Sequence, residues 1–254
     1  MFTKAIVRTP GKSLINGLSD SKNLGLPDYD KAIIQHKAYI EALKLCGLEV
    51  TILAPCEDYP DSTFIEDVAL ITPHGAIITR PGAPSRRDEI KTIDELLRKK
   101  FSNIDVIEAP GTIEAGDIMM VGSHFFIGLS DRTNLSGAQQ VIGVLKKHGL
   151  TGSTVTLKDV LHLKTGLSYL ENNQLVICGE FINDPIFSNY DFIEIPEEES
   201  YAANCIWVNE CVIVPTGYPI SKEKISNSGF NLIEVDVSEF KKLDGGLSCL
   251  SLRY

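Results

Sequence analysis

One phrase recurs along the chain: an apolar strand, a tight polar turn and a second apolar strand. ALITPHGAIITR from Ala69 and DIMMVGSHFFIG from Asp117 carry it, and YLENNQLVICGEF from Tyr169 and CIWVNECVIVPTG from Cys205 repeat it. Runs of Val, Ile and aromatic residues fit a pleated, half-buried surface. Asn172-Asn173 and Asn209-Glu210 are residues that reverse a chain between paired strands. The pattern predicts four hairpins.

An amphipathic helix follows several hairpins. From Leu135 a stripe of helical period runs through Ala138, Ile142 and Leu145, closed by His148-Gly149. A second helix, from Asp28 to Cys46, stops in the same way at Gly47. A short strand comes next each time: EVTILAP, DVIEAPG, TVTLKDV, DFIEIPE and NLIEVDV. Five such strands call for a fifth hairpin, which the strand-like chain ends MFTKAIVR and LSCLSLRY supply by pairing with each other. The expected architecture is a ring of five ββαβ units about a pseudo-fivefold axis, one α/β domain over residues 1–254 with no linker.

Composition narrows the partners. The formal net charge of -10 disfavours nucleic acid and anionic membranes and suits a cationic small-molecule ligand. The N-terminus has no charged segment followed by an apolar run, and no apolar stretch approaches roughly 18 residues, so a cytoplasmic location is expected. Six cysteines at irregular positions, with no C-x-x-C pair, are expected as free thiols. A homodimer is left open, and no metal or cofactor is expected, because no His/Cys spacing matches a metal motif.

In each unit the segment entering the next hairpin is more polar than its surroundings, and a closed ring points all five such segments at the axis. They read DSTFIED around Glu66 and Asp67, TIEAGD around Glu114 and Asp117, LHLKTG around His162, EESYAAN at Asn204 and LDGGLSC at Cys249, at nearly constant intervals. Two acidic stations, a histidine and a cysteine thus converge. A thiol and an imidazole suit nucleophilic attack with proton delivery to a leaving group, and carboxylates suit a delocalised cation.

Taken singly, each residue has a plainer reading. A lone cysteine is usually inert packing, and Cys46, Cys178 and Cys205 are read that way. Gly245-Gly246 sets Cys249 apart, because two glycines permit a sharp turn or a close approach. His162, between Leu161 and Leu163, reads alone as a strand histidine; its station overrides that. Arg86 and Arg132 follow consecutive hairpins and suggest a clamp for a carboxylate. The segment Ser13 to Asp28, with Leu18, reads as a lid or an ordinary surface loop.

These residues resemble the guanidine-modifying pentein superfamily, and within it the dimethylarginine dimethylaminohydrolases of bacteria. The resemblance rests on PDYDKAIIQHKAYIEAL, PDSTFIED, AIITRPGAPSRR, IEAPGTIEAGDIMMVG, VLHLKTG, EEESYAANCIWVNE and DGGLSCLSLR. It implies a five-bladed α/β propeller. It also implies that Cys249 attacks the guanidinium carbon of a methylated arginine, that His162 protonates the departing amine, and that Glu114 orients the histidine. By the same resemblance Glu66 and Asp67 hold the guanidinium, Asp61 the α-amine and Arg86 and Arg132 the α-carboxylate. Leu18 matches a lid residue, and Leu243 sits where side chains line the pocket. An arginine deiminase activity and a non-catalytic pentein binding module are the alternatives.

Overall fold

A computed structural model describes residues 1–254. The chain begins with β1 (Lys4–Arg8), α1 (Tyr29–Leu45) and β2 (Glu49–Leu53), then β3 (Ala69–Thr72), β4 (Gly75–Ile78), α2 (Lys91–Lys100) and β5 (Ile104–Val106). It continues through β6 (Ile118–Val121), β7 (His124–Leu129), α3 (Leu135–Lys147), β8 (Thr151–Thr156), the single turn α4 (Leu163–Gly166), β9 (Leu167–Tyr169), β10 (Gln174–Ile177) and β11 (Asp191–Glu194). It closes with β12 (Ile206–Val208), β13 (Cys211–Pro215), α5 (Pro219–Asn227), β14 (Asn231–Val235), α6 (Ser238–Lys241) and β15 (Leu252–Arg253).

The strands form five three-stranded sheets, each with an antiparallel hairpin and one parallel strand beyond it. The fifth hairpin is built from the chain ends: Ala5 of β1 faces Arg253 of β15, and β2 runs parallel to β1. The two-residue turn between β12 and β13 places Asn209 at φ 59, a left-handed conformation that a short polar side chain tolerates. Its amide also ties the first unit to the fourth hairpin, accepting the Phe2 N–H at 2.8 Å and donating to the Cys46 carbonyl at 2.9 Å.

Helices α1, α2, α3 and α5 cross from second to third strand in four units. The fourth unit departs from the ββαβ pattern: two 3₁₀ turns, Gly179–Phe181 and Pro185–Phe187, replace the helix. Pro185 disfavours helical backbone at Asp184 and so breaks the short crossover. α1 starts where the Asp28 side chain accepts the Lys31 N–H, and it buries Tyr39, Ile40 and Leu43 against Phe240 and Leu247. Burying Leu43 and Phe240 stabilises the fold by roughly 1.5–3 kcal/mol each. In α3 the expected stripe is shifted. Leu135, the first residue after the Asn134 cap, is 53% exposed, and Ala138, Val141 and Leu145 form the buried face. A first-turn side chain lies beyond the sheet edge that the rest of the helix covers.

The five polar stations each lie in or beside short helical backbone just ahead of a first hairpin strand: single turns at Ile65–Val68, Ala115–Asp117, α4 and Ser248–Leu250, and a longer segment kinked at Glu199 at Glu197–Ala203. Turn 65–68 packs on 248–250 and on 115–117, and α4 packs on 115–117 and 197–203. Asn204 closes the ring by hydrogen bonding to Ser248. Beyond this layer, residues of β3, β6, β9, β12 and β15 line an axial cavity. The site therefore lies at one end of the axis, on a layer fixed by neighbours on both sides.

Candidate active site

Nine of the ten residues singled out from sequence line one cleft at that end: Leu18, Asp61, Asp67, Arg86, Glu114, Arg132, His162, Leu243 and Cys249. Glu66 is the exception. Its carboxylate points into the axial cavity, where Oε1 pairs with Lys164 at 2.5 Å and with Arg253 at 3.6 Å. Consecutive residues of a helical turn project in different directions, so Asp67 takes the cleft and Glu66 the channel behind it.

Cys249 sits in the turn 248–250, buried. The Gly246 N–H points at Sγ from 3.4 Å. Both preceding glycines are required by packing. A β-carbon on Gly245 would lie 2.1 Å from the Phe64 ring, and one on Gly246 would lie 2.4 Å from the Asn204 amide carbon. The Tyr39 hydroxyl holds the turn from below, donating to the Leu247 carbonyl at 2.9 Å and lying 2.7 Å from Ser251 Oγ. Burial, with Asp67 and Glu66 nearby, pushes the thiol up to about 12, against the opposing Gly246 N–H and Lys164. The protein's own groups therefore favour the thiol form of Cys249, and a positive charge placed beside it favours the thiolate.

His162 caps α4 rather than lying in a strand, with Thr165 Oγ1 accepting its backbone N–H at 3.3 Å. Its Nε2 is 2.8 Å from Glu114 Oε2. Burial lowers the imidazole, but Asp117, Asp67 and Glu114 together outweigh it and raise His162 to about 9. Burial likewise acts to raise Glu114; His162, Arg86 and the Ala83 N–H prevail and bring it to about 2. His162 is thus held as an imidazolium at neutral pH beside an ionised Glu114, while burial raises Asp117. Asp117, placed by the sequence at the Glu114 station but given no role there, is the strongest of the charges that raise His162. It accepts the Leu163 N–H at 2.9 Å and the Ser130 hydroxyl at 2.7 Å. Its place three residues after Glu114, in the same axial turn, was the available signal.

The two arginines are not equivalent. Arg86 is buried, and its Nη1 bonds Asp67 at 2.6 Å while Nε and Nη2 grip Glu89, each at 2.9 Å. Nη2 also reaches the Phe64 carbonyl at 2.9 Å, so little of this fork remains for a ligand. Arg132 is 22% exposed, and its only carboxylate neighbour is Glu114, at 3.9 Å. It is the freer cation of the cleft. On the other wall Asp61 accepts the Leu18 N–H at 2.9 Å, and burial raises its carboxyl. The segment after Leu18 is tied across the cleft: Ser19 donates to the Lys242 carbonyl, and Asp20 N–H and Ser21 hydroxyl bond Asp244.

Asp67, Glu114 and His162 bring one possible ligand atom each within 4.8 Å of one another. Protein donors already engage them: Gly116 N–H and Arg86 on Asp67, Ala83 N–H and His162 on Glu114. In this arrangement the three side chains form a hydrogen-bonded ion network.

A buried thiol, an imidazolium and flanking carboxylates at the axial end of a five-bladed α/β ring define a guanidine-modifying hydrolase of the pentein class. The family model described as N,N dimethylarginine dimethylhydrolase, eukaryotic, matches residues 26–251. The N(G),N(G)-dimethylarginine dimethylaminohydrolase of Pseudomonas aeruginosa is 58% identical over 100% of both chains, and that of Streptomyces coelicolor is 32% identical over 98% of this chain and 96% of its own. A solved structure of a cysteine-to-serine variant of the Pseudomonas aeruginosa protein, complexed with citrulline, superposes with a TM-score of 0.99 over 100% of both chains. The N-terminal domain of the cyanobacterial arginine dihydrolase ArgZ, at 20% identity, shares the fold with a TM-score of 0.89 over 100% of this chain and 97% of that one. The chain belongs to the dimethylarginine dimethylaminohydrolase family. No helix is long and apolar enough to cross a membrane.

Proposed function

We propose that residues 1–254 act as one catalytic domain that hydrolyses N-omega-methylated arginines, asymmetric dimethylarginine and monomethylarginine, to citrulline and di- or monomethylamine. The observation that carries this reading is the convergence of the Cys249 thiol, the His162 imidazole bonded to Glu114 at 2.8 Å and the Asp67 carboxylate on one cleft. A guanidinium entering the cleft brings the positive charge that Cys249 lacks. Asp67 and Glu114 hold that cation, and the thiol ionises beside it, releasing its proton to solvent. Sγ then bonds to the guanidinium carbon, and the C–N bond to the methylated nitrogen breaks as His162 gives that nitrogen its proton. A covalent thiouronium remains on Cys249. Water, deprotonated by the now neutral His162, adds to the same carbon; the C–S bond breaks and citrulline leaves.

Recognition of the amino-acid end follows from the other wall. Asp61 holds the α-amine and Arg132 the α-carboxylate, with Arg86 acting mainly by fixing Asp67. Leu18 and Leu243 close over the aliphatic stem. Glu66 serves from behind, through Lys164. No cofactor takes part. The six free cysteines suit a reducing compartment, and the cytoplasm is the proposed location. Exposed Leu26, Ile34 and Leu45, at and before α1, favour a homodimer, which light scattering will test.

The experiment is incubation with arginine, monomethylarginine and asymmetric dimethylarginine, measuring citrulline and released amine. Turnover of the methylated forms supports the reading. Turnover of arginine alone makes the protein a deiminase, and no turnover with any of the three overturns the enzymatic reading.

A further inference from the structure

Four of the five axial stations carry the chemistry described above; the fourth in chain order, Asn204, has no role in it. Its side chain is buried and uses both ends of the amide. Oδ1 accepts the Ser248 N–H at 2.9 Å. Nδ2 donates to the Ser248 hydroxyl at 3.1 Å and to the Lys164 carbonyl at 2.9 Å. The amide thus joins the turn that bears Cys249 to α4, the turn that His162 caps. It also fills the space against Gly246, whose N–H points at Sγ.

We propose that Asn204 is a positioning residue: it fixes the nucleophile turn against the turn of the acid-base histidine and keeps the Gly246 N–H aimed at Cys249. An amide is the side chain that can do this, because Ser248 N–H needs an acceptor and the Lys164 carbonyl needs a donor at the same place. A carboxylate keeps the first bond, loses the second and sets a negative charge behind the thiol. Asn204 does not line the cleft and acts through Cys249 and His162. The inference rests on the reading of Cys249 as nucleophile.

The test compares Asn204→Asp and Asn204→Ser with the wild type. Two quantities are read: kcat and KM with dimethylarginine, and the pH dependence of iodoacetamide labelling of the Cys249 peptide, followed by mass spectrometry. The charged and titratable groups around the thiol stay constant: Asp67 and Glu66 from the first turn, Lys164 of α4, Tyr201 from the segment before Asn204, and His162 lining the same cleft. Both variants are expected to lose kcat on the order of 10²-fold, the cost of roughly 1 Å of misplacement. KM is expected to stay within about threefold. In Asn204→Asp the labelling midpoint also moves to higher pH; in the shorter, uncharged Asn204→Ser it moves less. Wild-type kcat and a wild-type labelling profile in either folded variant, whatever its melting temperature, overturn the proposal. The labelling arm needs no substrate, so it decides the role of Asn204 even if methylarginine turnover is absent.

Discussion

His162 Nε2 lies 2.8 Å from Glu114 Oε2, and this contact acts with the charges of Asp117 and Asp67 to raise His162. Replacing Glu114 by Gln keeps a hydrogen-bonding side chain and removes its charge. His162 then falls from about 9 toward its ordinary range, since burial already pulls it down. The expected result is a basic limb of the pH–rate profile shifted to lower pH and a kcat reduced by about 10²–10⁴-fold. An unshifted basic limb would show that His162 is not the titrating acid.

The same pair links stability to pH. His162 is raised in the folded state, so its contribution is fully present below about 6.5 and is lost as pH rises through about 9. Glu114 is depressed, so its contribution is present above about 4.5 and is lost as pH falls toward about 2. Urea unfolding of wild type and His162→Asn at several pH values measures this. The difference between them should narrow above pH 9.

Arg86 and Arg132 should separate cleanly. Arg132→Met is expected to raise KM with little change in melting temperature, because its guanidinium is partly exposed and only loosely paired. Arg86→Met strands Asp67 and Glu89 in a buried site and should cost about 3–5 kcal/mol of stability. Equal effects on KM and equal melting temperatures would contradict the division of roles.

Gly245→Ala tests the turn before the nucleophile. Its β-carbon would meet the Phe64 ring at 2.1 Å, an overlap that forces this cleft-lining ring or the turn itself to shift. A loss of about 1–3 kcal/mol of stability is expected, with kcat falling alongside it. Thermal melts and kinetics on the same preparation measure both.

Much of this architecture was legible because its signals are local. Alternating apolar runs and turn residues give the hairpins, and the stations are short polar segments at near-constant spacing. The chain ends pair as the missing hairpin. What was not legible depends on direction or on partners distant in sequence. Glu66 and Asp67 are neighbours in the chain, and only the turn geometry sends one to Lys164 and the other to the cleft. Arg86 looked like a free clamp because its grip on Glu89 and Asp67 exists only in the fold. Asp117 lay in a segment already singled out, yet its effect on His162 depends on how α4 packs against the turn 115–117. The helix missing from the fourth unit is traceable to Pro185, a local signal overridden by the regularity of the repeat.

The central claim is a covalent bond between Cys249 and the substrate carbon. Rapid acid quench during turnover of asymmetric dimethylarginine, followed by peptide mass spectrometry, tests it directly. The expected result is a thiouronium-mass adduct on the peptide containing Cys249, absent in Cys249→Ser, with citrulline formation lost in that variant. Continued citrulline formation by Cys249→Ser would contradict the account.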